Sequence, residues 1–358
     1  MYYFIVLLRT IAVAFITNSH FKGVYPFDFM AFGGGIGVAI FFMISGFLLS
    51  EIRPDISFVE WYCKKIIRMY VPFIIFSFFR LFLGILGIKV CGINKTLGDG
   101  NIIIITGIQM LYKMKIQEYM DLVFPLDYWF VYVIAILYAL YFFYIKYIVR
   151  RYTEKADEEK AYKKTLQITG IILVVIFVAW YFPLDKTVGE VLRNPYFIMW
   201  IVWFICMLIG CWIRKSEIAL LKRKAILWIF GMLFFIALYL FTKVCIGKNE
   251  LMNLQILLPI SYVGCAYCSF RFFMNNENMC KRIIDSKLIN GLFGKVISMV
   301  STTSLEVYYV QFIWIKLLKD IVFPVNWLVI VIAIIVNAYI LNRLSEYIIK
   351  LVSSRSKY

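Results

Sequence analysis

Residues 1–21, MYYFIVLLRTIAVAFITNSHF, form an apolar run of membrane length that carries only two ionisable groups beyond its aromatic start, Arg9 and His20. A second run, GGGIGVAIFFMISGFLLS, follows at residues 33–50. His20 is the only histidine in the chain. An α-helix turns about 100° per residue, so groups eleven positions apart lie on nearly the same face, roughly 16 Å apart along the axis. A cation within a membrane-length helix is costly and usually faces a protein interior or a wet cavity. The blander reading has Arg9 snorkelling to a headgroup and His20 resting at the interface.

Working outward, eight more apolar segments follow, at 66–90, 125–149, 165–184, 195–213, 225–244, 251–270, 296–319 and 324–344. The chain has 358 residues, 63% of them hydrophobic, and a mean hydropathy of +0.83. A soluble domain of this size must show more polar surface to water. A β-barrel would display short alternating segments behind a secretory signal. The fold class is therefore all-α, a polytopic helical membrane protein. The first segment lacks a charged start and a small-residue cleavage pattern, and reads as a retained helix. Residues 101–120 are too short and polar for a span and read as an interfacial or re-entrant helix. Pro72 is expected to start or kink the third helix, and Pro259 to interrupt the eighth.

Charge orients the chain. With ten spans and both termini cytoplasmic, the inner loops are 51–68, 146–164, 214–224, 271–295 and 343–358. They hold 25 of the 38 Lys and Arg residues. This is the positive-inside bias. Aromatic residues gather near many segment ends, as in an interfacial belt. The net charge of +17 is explained by basic loops facing anionic lipid rather than by nucleic acid, because no polar, basic, aromatic-poor module exists. Of eight cysteines, Cys265 and Cys268 have CxxC spacing, but no second pair and no nearby histidine complete a metal set. No metal or bound cofactor is expected. A disulfide between Cys91 and Cys245 on the outer side is one reading of the remaining cysteines.

The residues of the first two helices carry a resemblance. LRTIAVAFITNSHF from Leu8, and the glycine-rich start followed by FFMISGFL, resemble the opening of the integral membrane acyltransferase 3 family. The family's arginine, ten residues, histidine pattern falls on Arg9 and His20. Its cytoplasmic pair of arginines falls on Lys65 and Arg68, with Pro72 after it. Lysine replaces the first arginine, exchanging a bidentate fork for a point charge. The family's aromatic motif falls on Asp127, Tyr128, Trp129 and Phe130. TTSLEVYYVQF, residues 302–312, is similar to the family's late segment, with Gln311 where many members have a histidine. The resemblance spans nearly the whole chain, which then reads as one integral membrane acyltransferase domain, 1–358, with no separate soluble domain.

The resemblance implies transfer of an acyl group, most simply acetyl, from cytoplasmic acyl-CoA to a hydroxyl of a surface or exported polysaccharide, in a bacterial cytoplasmic membrane. Acetyl-CoA is the co-substrate, a glycan or lipid-linked sugar the acceptor, and membrane lipid the surroundings. A homodimer is among the assemblies the sequence allows. Histidine takes protons near neutral pH, so His20 is the expected base, or alternatively a nucleophile forming an acyl-imidazole. Arg9 stabilises the thioester oxyanion or holds a donor phosphate. Glu306, a carboxylate within an apolar segment, pairs with Arg9, orients His20, or binds the sugar. Lys64, Lys65 and Arg68 form a landing site for donor phosphates or a plain topology signal. Gly33, Gly34 and Gly35, with Gly37, admit a pantetheine arm or simply close helix packing. Asp127, Tyr128 and Trp129 form an acceptor rim or an interface anchor. Ser45 and Ser304 read as helix-bonded hydroxyls.

Two other classes compete. A transporter or flippase of a glycan precursor would show inverted repeats with broken helices, and none is evident. A scaffold without chemistry leaves Arg9, His20 and Glu306 unexplained.

Overall fold

The computed structural model describes residues 2–53, 55–85, 128–149, 158–181, 195–215, 225–247, 256–286 and 291–355. Asp127, the 101–120 segment and the Cys91–Cys245 pairing lie outside the described residues and side chains. Twelve α-helices occur among the described residues, and no strand does. They are α1 Tyr3–Ser19, α2 Gly34–Leu48, α3 Phe58–Ile85, α4 Trp129–Phe143, α5 Glu158–Tyr181, α6 Pro195–Lys215, α7 Ala225–Gly247, α8 Leu257–Asn275, α9 Glu277–Ile284, α10 Leu292–Thr302, α11 Ser304–Leu318 and α12 Val325–Arg355. A π-helical turn, Tyr144–Val149, continues α4. Among the described residues, six stretches are long and apolar enough to cross a membrane, including Asp28–Leu48, Ala225–Val244 and Val325–Leu351. The chain is an all-α polytopic membrane protein.

Three boundaries differ from the sequence expectation. The third helix begins at Phe58 rather than 66, so Lys64, Lys65 and Arg68 stand on a helix and not in a loop. Glu60 favours the positive end of the first turn and pairs with Lys64 four residues on, at 2.7 Å. Pro72 consequently lies inside α3, where it removes one backbone bond without ending the helix. Pro259 is the third residue of α8, a position whose N–H has no intrahelical partner, so it opens the helix rather than breaking it. The expected 296–319 span is divided at Thr303, whose φ of −96° and ψ of 19° leave the helical range. The run Ser301, Thr302, Thr303, Ser304 supplies hydroxyls that compete with helical backbone bonds.

The described chain falls into two compact units. The first comprises Met1–Ile16, Gly33–Phe58 and Ile136–Ser301. Here α2 packs on α6 and α8, α5 on α6, and α7 on α8. Glycine sets the α2–α6 distance. A Cβ on Gly46 would lie 1.9 Å from the Met207 carbonyl oxygen, and one on Gly210 would lie 1.9 Å from that of Met43. Small residues at such crossings let backbones touch where lipid gives no hydrophobic drive. The start of α1 is held by α9: both Glu277 carboxylate oxygens accept a backbone N–H, from Tyr3 and from Phe4, each at 2.7 Å. These are two of the four N–H groups that a helix start leaves without intrahelical partners. A carboxylate also suits the positive end of the helix dipole. Thr10 Oγ1 donates to the Ile297 carbonyl at 3.0 Å.

The second unit comprises Thr17–Phe32, Val59–Ala135 and Thr302–Tyr358. In it α11 packs on α12. The turn after α1 is pinned by Asn18, whose Nδ2 donates to the carbonyls of Met30 and Phe32 and whose Oδ1 accepts from Tyr25. Asn326, in the first turn of α12, donates to the Val24 carbonyl at 3.0 Å. This bonding fixes the segment that holds His20.

Candidate functional site

His20 follows Ser19, the last residue of α1, and is half-buried. Its ring meets the ring of Phe312 on α11 edge-on, with centroids 4.7 Å apart and planes at 68°. Phe312 in turn stands edge-on to Tyr128 at 5.4 Å and to Tyr308 at 5.8 Å. The Tyr128 hydroxyl donates to the Tyr309 carbonyl at 3.0 Å, and the Tyr309 hydroxyl to the Met69 carbonyl at 2.9 Å. The Arg80 guanidinium lies over the Tyr128 ring, 5.4 Å from its centre. The second unit thus brings α3, the residue that precedes α4, and α11 together in one aromatic wall against which the histidine rests. Edge-to-face pairs of this kind fix ring orientation and add about 0.5–1.5 kcal/mol each beyond burial.

Two more polar groups come from α11. Glu306, 5% exposed, accepts a hydrogen bond from Asn342 Nδ2 of α12 at 3.1 Å. It precedes Phe312 by six residues, about 9 Å along the axis. Gln311 is fully buried, and neither its Nε2 nor its Oε1 has a hydrogen-bond partner among the described residues. A buried amide in that state is ready to bond something that enters.

The other expected site residues fall as follows. Arg9 lies mid-helix in α1 and is half-buried; it belongs to the first unit. Tyr128 is buried and its hydroxyl is committed, so it forms wall rather than open rim, while Trp129 beside it is half-buried. Lys65 lies 5.9 Å over the Trp61 ring. Burial, then the Arg68 and Lys64 charges, hold the Lys65 ammonium below the ordinary lysine value. An arriving anion would relieve that crowding. Gly33 adopts a left-handed φ of 98°, and a Cβ there would lie 2.4 Å from the Phe15 ring. A Cβ on Gly35 would lie 2.5 Å from the Tyr262 ring. Aromatic side chains therefore fill the space beside both glycines. Gly34 opens α2. Ser45 shares a 3.1 Å hydrogen bond with Tyr138.

Three participants carried no assigned role in the sequence reading: Arg80, Phe312 and Asn342. Arg80 had a signal, being a lone cation within an apolar run. Phe312 and Asn342 had none, because phenylalanine is abundant here and an asparagine near the end of an apolar run is common.

The sequence profile of an acyltransferase domain, that of the acyltransferase 3 family, matches residues 2–341. The chain belongs to that family and is a membrane acyltransferase. No curated protein and no solved structure matches the chain.

Proposed function

We propose that this acyltransferase moves an acetyl group from cytoplasmic acetyl-CoA to a hydroxyl of a surface or exported glycan, within the bacterial cytoplasmic membrane. The observation that carries the reading is His20, the chain's only histidine, set edge-on against the Phe312 and Tyr128 wall. In this reading the imidazole takes the proton of the acceptor hydroxyl as that oxygen bonds to the thioester carbonyl carbon. The tetrahedral intermediate collapses, the carbon–sulfur bond breaks, and the thiolate leaves and takes up the proton from the imidazolium. Products are the O-acetyl ester and coenzyme A, with His20 restored. General-base help of this sort is worth about 10²–10⁴ in rate.

Arg9, eleven residues before His20 in the sequence, is assigned in this reading to a donor phosphate. Lys64, Lys65 and Arg68 receive the donor on the cytoplasmic side, in a topology of ten spans with both termini inside. Gln311 offers an amide donor to the acceptor or to the carbonyl oxygen, and Glu306 offers a carboxylate that accepts from an acceptor hydroxyl.

The test is proton NMR of the host's surface polysaccharide in a deletion strain complemented with wild type, His20→Ala or Arg9→Ala at matched membrane levels. Loss of O-acetyl signal in the deletion and in His20→Ala, restored by wild type, is expected. Full restoration by His20→Ala refutes the base assignment. Intact acetylation in the deletion refutes the reading as a whole.

A further inference from the structure

Arg271, near the end of α8, is 2% exposed. Its Nε and Nη1 have no hydrogen-bond partner among the described residues. The guanidinium lies over the Trp228 ring at 5.3 Å and the Tyr267 ring at 5.9 Å, and those two rings meet edge-on at 5.8 Å. The buried Trp228 Nε1, at the start of α7, also lacks a partner among the described residues. Three buried donors therefore gather at the α7–α8 contact with no acceptor bonded to any of them among the described residues. Glu277, a few residues on, is committed to the Tyr3 and Phe4 amides.

Aromatic faces offset part of the cost of a buried cation, but they leave its N–H groups unbonded. A buried donor without a partner is destabilising, and a charged one more so. An anion with several acceptor oxygens would satisfy all three donors. We propose that Arg271 and Trp228 form a buried phosphate-binding site, distinct in its residues from Lys64, Lys65 and Arg68. Guanidinium pairs with phosphate through charge-assisted bonds that an ammonium does not reproduce. The loop charges put this end of α8 on the cytoplasmic side, where two phosphates are available: a phospholipid headgroup and the acyl-CoA donor. The second source rests on the donor reading above, and the first does not.

The experiment uses the purified full-length protein and two probes. Coenzyme A is titrated against thermal stability in detergent. Separately, stability and retained lipid, counted by native mass spectrometry, are compared in phosphatidylcholine nanodiscs with and without phosphatidylglycerol. Each is run on wild type, Arg271→Gln and Trp228→Phe; the second variant keeps the aromatic face and removes only the donor. A loss of coenzyme A affinity on the order of ten- to a hundredfold in Arg271→Gln, and several-fold in Trp228→Phe, assigns the donor phosphate. Loss of the phosphatidylglycerol effect and of one retained lipid, with coenzyme A binding unchanged or absent throughout, assigns the headgroup and leaves the donor reading to stand or fall alone. If Arg271→Gln does not fold, Trp228→Phe carries the comparison. Identical responses of wild type and the folded variants to both probes overturn the proposal.

Discussion

Replacing Gly46 by alanine should separate two helices. The added methyl would lie 1.9 Å from the Met207 carbonyl oxygen, 2.6 Å from its carbon and 2.7 Å from its Cα. Ordinary contact begins at 3.4 Å, so α2 and α6 must part by about 1.5 Å at this point. The obstacle is backbone, which has no rotamer to turn aside. A gap of 0.5–1 Å already forfeits about a quarter to a half of each dispersion contact, and the Phe42–Trp203 stack lies along the same contact. Overpacking costs about 1–3 kcal/mol, and this case belongs at the upper end. Gly170 on α5 provides the opposite case, since a Cβ there meets nothing within 4 Å. Alanine should stabilise that helix by about 0.5–1 kcal/mol through backbone entropy alone. Thermal unfolding of both variants in one detergent, followed by tryptophan fluorescence, should place Gly46→Ala several degrees below wild type and Gly170→Ala at or above it. If Gly46→Ala unfolds at or above Gly170→Ala, the close approach is not what holds these helices together.

Removing the carboxylate that caps α1, by Glu277→Gln, leaves one neutral oxygen for two backbone donors; a loss of about 1–2 kcal/mol is expected, read as faster hydrogen exchange at Tyr3 and Phe4, and unchanged exchange there would refute the cap. Burial, then the Glu277 charge, pushes the Cys280 thiol from 9.0 up to about 11. The folded state thus keeps a proton that the unfolded state sheds, so this contribution to stability is complete below 9.0 and declines as pH rises towards 11; Cys280→Ala should flatten that alkaline decline in a pH series of unfolding temperatures, and an unaltered slope would refute the assignment.

Much of this was legible in the chain itself. The first two helices lie within two residues of the expected limits, because each apolar run is bounded by polar or glycine residues. His20 was legible for its rarity and its place after a membrane-length run. The helical seat of Lys64, Lys65 and Arg68 was hidden by their charge, which reads as loop although Glu60 and Lys64 support a helix. The break at Thr303 was masked by the hydropathy around it. The wall behind His20 needed Phe312, which is 292 residues away in the chain, and no local pattern distinguishes that ring from the other phenylalanines. Arg271 looked like one more basic residue at a span end; only its burial beside Trp228 sets it apart.

The capping of α1 by Glu277 also bears on how the chain is made. Tyr3 and Phe4 leave the ribosome well before their partner, which follows 274 and 273 residues later, and the Ile297 carbonyl that receives Thr10 comes later still. At about 5–20 residues per second, the helix carrying Arg9 waits on the order of tens of seconds in the bilayer before its anchor is synthesised. During that interval its leading amides have only headgroups and water to bond. The last third of the polypeptide therefore completes the seating of the first helix, and a nascent chain halted before α9 would hold α1 inserted but unfastened.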